Sequence, residues 1–397
     1  MQALRAGQVY DGGSFVGPAT VLVDGGSIVG VEAGHPDLPE GTDVTSYDGT
    51  LLPGLVDCHV HLVASSVVGS LEQAGGLTDD ELDARIRDGL VAQRAGGVTT
   101  VRDLGDRHYR TLAARVLAGL PRVVCAGPPI TVPRGHCHYL GGEASGVDGV
   151  RRAVAEHVDR GVDMIKVMAS GGMLTEGTDA FGVQFRAEEL RALVEAAHAS
   201  GLRVLAHAHS LTGIQHAIAA GVDGVEHFTG LTEEGLMLPD DILEQTAAAG
   251  IQVCPTVGFN PARMPSPEQM APGLRAAVER VGLDLPTFIV TRVGHLSRMR
   301  AHGIRVVSGT DAGISPPKAH GGVGFAVLDL VAAGYPVAEA LATATSGAAL
   351  SCGLGGVTGA LRAGLAADLL VVDGDLATEP QALLRPVAVL VRGAYAS

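Results

Sequence analysis

Short apolar runs rich in β-branched residues alternate along the middle of the chain with longer stretches whose apolar residues recur at three- and four-residue spacing. The first pattern fits buried strands and the second amphipathic helices, so this region reads as repeated strand and helix units around a parallel sheet. Eight strands are expected, over residues 54–59, 98–103, 122–126, 163–168, 203–207, 224–227, 251–255 and 304–308. Helical stretches such as "DDELDARIRDGLVAQRAG", "AEELRALVEAAHASG" and "TGIQHAIAAG" lie between them, several closing on a glycine suited to a helix C-terminus. Eight such units favour a closed (β/α)8 TIM barrel over an open sheet, and functional groups then belong at the C-terminal strand ends.

The two ends of the chain are patterned differently. Residues 1–50 carry short alternating strands broken by Gly and Asp turns, as in "ATVLVDGGSIVGVEAG", and the last forty residues repeat the habit in "GLAADLLVVDGDL" and "PVAVLVRGAYA". The expected α/β organisation is a barrel over 51–354 and a small β-sandwich domain built from 1–50 plus 355–397. The proline-rich stretch "VGFNPARMPSPEQMAPG" reads as a long loop after the seventh strand, placed to act as a lid.

Composition narrows the function. With 46% hydrophobic and 18% charged residues over 397 positions, the chain has material for a large core and too little charge for disorder. A formal net charge of −15 disfavours nucleic acid and anionic membrane as partners and leaves a small molecule. No eighteen-residue apolar run and no charged-then-apolar leader is found, which makes the cytoplasm the default location. Cys58, Cys125, Cys137, Cys254 and Cys352 lack CxxC spacing and read as buried structural thiols. The glycine-rich "ASGGM" lacks the lysine and serine of a phosphate-binding loop.

The chemistry gathers where the strands stop. Strand one ends in His59 and His61, strand four carries Lys166, strand five ends in His207, strand six in His227, and strand eight runs into Asp311. A lone strand histidine is ordinarily a hydrogen-bonded core residue, but four at the ends of three strands, with an aspartate on another, fit that habit poorly. Imidazole and carboxylate suit a borderline divalent ion such as Zn2+, and His59 and His61 share one strand face. Lys166 stands out because the 28 basic residues include only two lysines, Lys166 and Lys318. A lysine can lose its proton when buried and react as an amine, which arginine does not do. Carboxylated, it becomes an anionic ligand able to bridge two metals.

Taken together, "PGLVDCHVHL", "GVTTVRDLG", "IKVMASGGM", "VLAHAHS", "GVEHF", "SGTDAG" and "ADLLVVDGD" resemble the metal-dependent amidohydrolase superfamily, in its binuclear prolidase-like and imidazolonepropionase-related branch. The likeness runs over almost the whole chain. It implies His59 and His61 on a first ion, a carboxylated Lys166 as the bridge, His207 and His227 on a second ion, and Asp311 as ligand of the first ion and proton shuttle. The pattern places the strand-five ligand at the first histidine of "HAH"; His209 shares that strand face and is the alternative. Zn2+ is preferred over Mn2+ or Co2+ for the two divalent ions.

The same resemblance implies hydrolysis of an amide bond by metal-activated hydroxide, in an N-acyl amino acid, a dipeptide such as Xaa-Pro, or a related natural-product amide. The alternative is ring opening of a cyclic amide or lactone at the same centre. For the developing oxyanion it points to His136 in "ITVPRGHCHYLGG", with Arg134, His138 and Tyr139 as weaker candidates for contacting substrate. Here Arg134-Gly135-His136 stands where the family loop reads Gly-Gly-His. His320 resembles another position near substrate, and Val323, Phe325 and Val327 after it suggest a less polar side group. Relatives of this architecture often form dimers or larger rings, which leaves a homo-oligomer open.

Overall fold

The structure is a computed structural model that describes residues 1–395. Four strands from the start of the chain (Gln2–Tyr10, Phe15–Asp24, Ser27–Ala33 and Asp43–Pro53) and three from its end (Leu369–Val372, Pro386–Val391 and Ala394–Tyr395) make one seven-stranded sheet. Leu369–Val372 pairs antiparallel with Asp43–Pro53 and so ties the two ends together. Two facing sheets are expected from the sequence, whereas the pairing follows a single path.

Apolar runs in these strands lack polar alternation because both sheet faces are covered. Leu51, Leu369 and Val371 face one apolar cluster with Leu4, Val21 and Ile28, while Leu52, Leu370 and Val372 face the larger core of the rest of the molecule. Successive side chains of a strand point to opposite faces, so neighbours in sequence belong to different cores.

The middle of the chain is a mixed α/β arrangement of parallel strands. Leu55–Val60, Val98–Asp103 and Arg122–Cys125 pair in parallel, as do Met164–Met168, Arg203–Ser210, Gly224–Thr232 and Gln252–Cys254. Single parallel bridges join the two groups: Ile130 to Val167, Val253 to Val306, and Val60 to Ala312. The pairings thus return to the strand where they began. Helix Asp79–Ala95 starts on Thr78, whose side chain and that of Glu81 cap each other's backbone N–H, and helices Gly146–Arg160 and Leu211–Ala220 stop at Gly161 and Gly221, both left-handed.

The expected eighth strand, 304–308, is present only as the bridge at Val306. Its backbone is still bonded on both sides: Val307 N–H donates to Val253, Cys58 N–H donates to Ser308, and Ser308 N–H leaves the ladder for Thr343. Too few successive bonds reach any one neighbour to make a ladder. The stretch after the seventh strand is less irregular than expected, holding short helical turns at Pro261–Arg263 and Pro267–Gln269 and the helix Pro272–Arg280.

Candidate metal centre

At the C-terminal ends of the parallel strands lies a buried cavity whose floor carries His59, His61, Lys166, His207, His227 and Asp311, with His136 and His209 on its wall. All the sequence-expected ligands therefore come together. Among the described residues three groups of three have donor atoms within 4.8 Å of one another: His59, His61 and Asp311; His207, His209 and His227; and His59, Glu226 and Cys254, in which Glu226 is the partner of the His59 ring. The imidazoles are close across the groups as well, with 5.2 Å between the His59 and His227 rings and 4.5 Å between His207 and His227.

The rings are aimed by partners on their far nitrogens. His59 Nδ1 is 2.7 Å from Glu226 and His61 Nδ1 is 3.1 Å from the Gly105 carbonyl, which leaves both Nε2 atoms facing Asp311 Oδ1 at 3.3 and 3.2 Å. His209, His227 and His136 repeat the device with threonine hydroxyls, each Nδ1 lying 2.8 Å from Thr229, Thr256 and Thr175 respectively. A ligating histidine usually carries such a partner, because it fixes ring orientation and tautomer. His207 differs, its Nε2 being 3.1 Å from the Gly171 carbonyl. The strand-five group thus holds three imidazoles, His209 included.

Electrostatics suit cation binding. Burial first, and then the neighbouring positive charges, keeps His207, His209 and His227 neutral far below the ordinary histidine range and brings His59 down to about 4. Neutral imidazole is the form that binds a metal. Burial alone would lower His61, but the Asp311 carboxylate raises it, and despite burial the two imidazoles hold Asp311 well below the usual carboxylate range. Lys166 is 1% exposed, burial lowers its ammonium, and among the described residues no hydrogen bond or ion pair reaches its amine. A buried amine without a partner favours its uncharged, nucleophilic form.

Several supporting residues escape a reading by strand periodicity. Asp57 accepts from Thr310 N–H at 3.0 Å and from its hydroxyl at 2.6 Å, so strand one holds the turn that presents Asp311. Glu226 precedes His227 and ought to face the other way, yet both serve this centre. The left-handed backbone at His227 and Phe228, φ 69° and 48°, breaks the alternation there. Thr256 and Asp311 also have positive φ, 47° and 63°, and such strain concentrates at functional positions. Behind Glu226 stands the buried Arg102, 3.4 Å away, which also donates to the Cys58 carbonyl and to Ser351. Against burial, which raises it, His59 and Arg102 hold Glu226 at about 2.

Four expected substrate contacts are not on the cavity wall. Arg134 sits in an exposed turn with its N–H on Glu143. His138 opens a short helical turn, His138–Leu140, and Tyr139 stands behind the wall, its hydroxyl 3.4 Å from Thr175. His320 is held by the Ala64 carbonyl at 3.0 Å and by Gln93 at 3.3 Å, so its ring braces the strand-one loop. Val323 and Val327 are core residues of helix Val323–Ala332 and Phe325 lies off the cavity too. The apolar lining comes from elsewhere, chiefly Met173, Phe259, Met264, Met270, Leu274 and Phe288. All five cysteines are buried and free.

This chain belongs to the amidohydrolase family, whose model matches residues 50–394. It is a hydrolase of that family, which generally uses a divalent metal centre. Ochratoxinase of Aspergillus niger is 27% identical over 96% of this chain and 82% of its own length. Imidazolonepropionase of Chromobacterium violaceum is 28% identical over 91% of this chain and 86% of its own. The crystal structure of a Xaa-Pro dipeptidase with methionine bound in its active site superposes with a TM-score of 0.86 at 26% identity, covering 99% of both chains.

Proposed function

We propose that this protein is a binuclear, zinc-dependent amidohydrolase that cleaves an amide bond in an N-acyl amino acid, a dipeptide such as Xaa-Pro, or a related natural-product amide. The observation that carries the reading is the gathering of two three-ligand groups, His59, His61 and Asp311 and His207, His209 and His227, in one cavity with a buried lysine whose amine has no hydrogen-bond partner among the described residues, at one end of a ring of parallel strands. We read that ring as a (β/α)8 barrel. The relatives that act as ochratoxinase and Xaa-Pro dipeptidase support the substrate class.

The donor set fits two divalent ions. His59, His61 and Asp311 would hold one, the strand-five and strand-six histidines the other, and Lys166, carboxylated by CO2, would lie between them. When bound, such ions acidify a water toward neutrality and polarise the amide carbonyl. Asp311, ionised at neutral pH and turned to both strand-one imidazoles, takes the water proton and passes it to the leaving nitrogen. Burial brings His136 down to about 3, so it is neutral, and its Nδ1 lies 2.8 Å from the Thr175 hydroxyl, which can accept from it or donate to it. In the tautomer protonated on Nε2, His136, which lines the cavity, would donate to the oxygen on which charge develops.

The partner in this reading is a small molecule, not a nucleic acid or a membrane, and the place of action is the cytoplasm. No helix among the described residues is long and apolar enough to cross a membrane. The test is a hydrolysis screen of the zinc-loaded, bicarbonate-supplemented protein on dipeptides, N-acyl amino acids, lactams and lactones. Turnover of linear amides is the expected result. Turnover confined to rings would replace the reading with the ring-opening one, and no turnover at all would remove it.

A further inference from the structure

Both lysines of the chain and, among the described residues, one of the two buried arginines face the same cavity: Lys166, Lys318 and Arg292 line it, and Asp311 is the single carboxylate among its described lining residues. In a protein of net charge −15 this is a concentrated reversal of sign. Lys166 is accounted for by the metal centre. Arg292 and Lys318 are not.

Arg292 lies on helix Leu285–Ala301 one turn after Phe288, so an apolar ring and a guanidinium share the face turned to the cavity. It is 7% exposed. A single nitrogen, Nη2, makes all its hydrogen bonds, to the carbonyls of His227 and Pro255 and to the Thr256 hydroxyl. Among the described residues nothing is bonded to Nε or Nη1, and no ion pair accompanies the guanidinium. The other buried arginine, Arg102, has Glu226 as its counter-charge. Arginine is rarely buried unpaired, because its desolvation is costly without an anion. Asp329, an acid that faces this corner, already accepts from Gly258 N–H at 2.8 Å. Lys318 approaches Thr256 from the other side, donating to the Thr256 and Thr310 carbonyls at 2.7 Å each, with its ammonium 4.1 Å above the Phe259 ring.

Bonding through Nη2 alone anchors the side chain and leaves the N–H donors of Nε and Nη1 open, one on either side of the anchored nitrogen. A charge-assisted N–H donor of a guanidinium suits a carboxylate oxygen, and an ammonium in the same cavity adds a second positive charge for the anion. The apolar residues beside it, Met264, Met270, Leu274 and Phe288, offer no polar partner to the remainder of such a molecule.

We propose that the unbonded N–H groups of Arg292, with the Lys318 ammonium in the same cavity, are the receptor for a carboxylate on the substrate, and that an apolar group of the same molecule lies on the methionine- and phenylalanine-lined wall. The assignment rests on the amidohydrolase reading of the cavity and deepens it to acyl amino acids with a free carboxylate and a sizeable apolar side group.

The test is calorimetric binding of N-hexanesulfonyl-L-leucine and its carboxamide, which lack a cleavable acyl bond, to the full-length metal-loaded protein and to Arg292→Met and Arg292→Lys. The acid should bind roughly 10- to 100-fold more tightly than the carboxamide. That preference should shrink to about threefold or less in Arg292→Met and stay intermediate in Arg292→Lys, which keeps the charge but cannot both hold the backbone anchor and offer further donors on separate nitrogens. Melting curves establish that the variants fold; should Arg292→Met fail to, a preference in Arg292→Lys at least about threefold below wild type still supports the receptor. Equal affinity for acid and carboxamide in the wild type, no binding of the acid, or an undiminished preference in the variants would overturn it. Hydrolysis of N-hexanoyl-L-leucine is followed separately. Carboxylate preference without hydrolysis removes the amidohydrolase reading and keeps the receptor, whereas hydrolysis without the preference does the reverse.

Discussion

The floor and the wall of the cavity are built on opposite principles. The floor is polar, rigid and supplied by strand ends: His59, His61, Lys166, His207, His227 and Asp311, each imidazole fixed by a partner on its second nitrogen or by a backbone carbonyl. Much of the wall is apolar and supplied by the segment after the seventh strand, where Met264, Met270 and Leu274 precede Phe288 and Arg292 on the next long helix. The difference assigns bond cleavage to the part of the fold that varies least in shape and substrate choice to a part that can be rebuilt without disturbing it.

Changes to the floor should break the chemistry. Lys166→Arg keeps the charge but lacks an amine able to form the bridging carbamate, so the rate of amide hydrolysis should fall at least about a thousandfold, ~4 kcal/mol of barrier. Steady-state assays check this, and a variant holding more than about a tenth of the rate contradicts the bridging role. A smaller effect is expected one layer out. Glu226→Gln removes the charge that orients His59, and metal affinity should drop roughly 10- to 100-fold, as read by competition with a chelator.

Changes to the wall should leave the floor intact. Met264→Gln places an amide against the apolar group of the substrate, so KM for an acyl amino acid should rise about fivefold, ~1 kcal/mol, with metal content unchanged. A fall in metal content would mean that floor and wall are not separable. The smallest effect concerns stability. Burial, with Arg298 and Arg292 nearby, holds His295 at about 4, and its Nδ1 has no partner. The unfolded chain binds that proton near pH ~6.5, so this contribution is complete above that pH and is lost as the pH falls toward 4. His295→Asn should flatten the acid slope of the unfolding free energy by roughly 1–3 kcal/mol, as measured by denaturant titration at several pH values.

The same division explains what could be read from the sequence. Strand ends were legible because "HVH", "IKV", "HAH", "EHF" and "TDAG" each close a β-branched run, and period-two alternation says which residues share a face. Alternation fails where the backbone turns left-handed, and this hid the joint service of Glu226 and His227. It also fails for the eighth segment, whose hydrogen bonds are divided among Val253, Thr343 and Cys58. The wall was hidden for another reason. Residues 259–274 have no regular period, and Arg292 sits within an unremarkable amphipathic helix, so only the fold shows that they converge with Lys318. His320 and Tyr139 illustrate the reverse error: residues near the site in sequence that brace loops or stand behind the histidines.

The most direct test of the central claim is the metal content of the protein after equilibration with zinc and bicarbonate and removal of free ions, measured by plasma mass spectrometry. Two ligand groups sharing the cavity with Lys166 predict a value close to two ions per chain, falling in Lys166→Ala. Saturation near one ion, unchanged by loss of the lysine, would contradict a binuclear centre and leave a mononuclear one in its place.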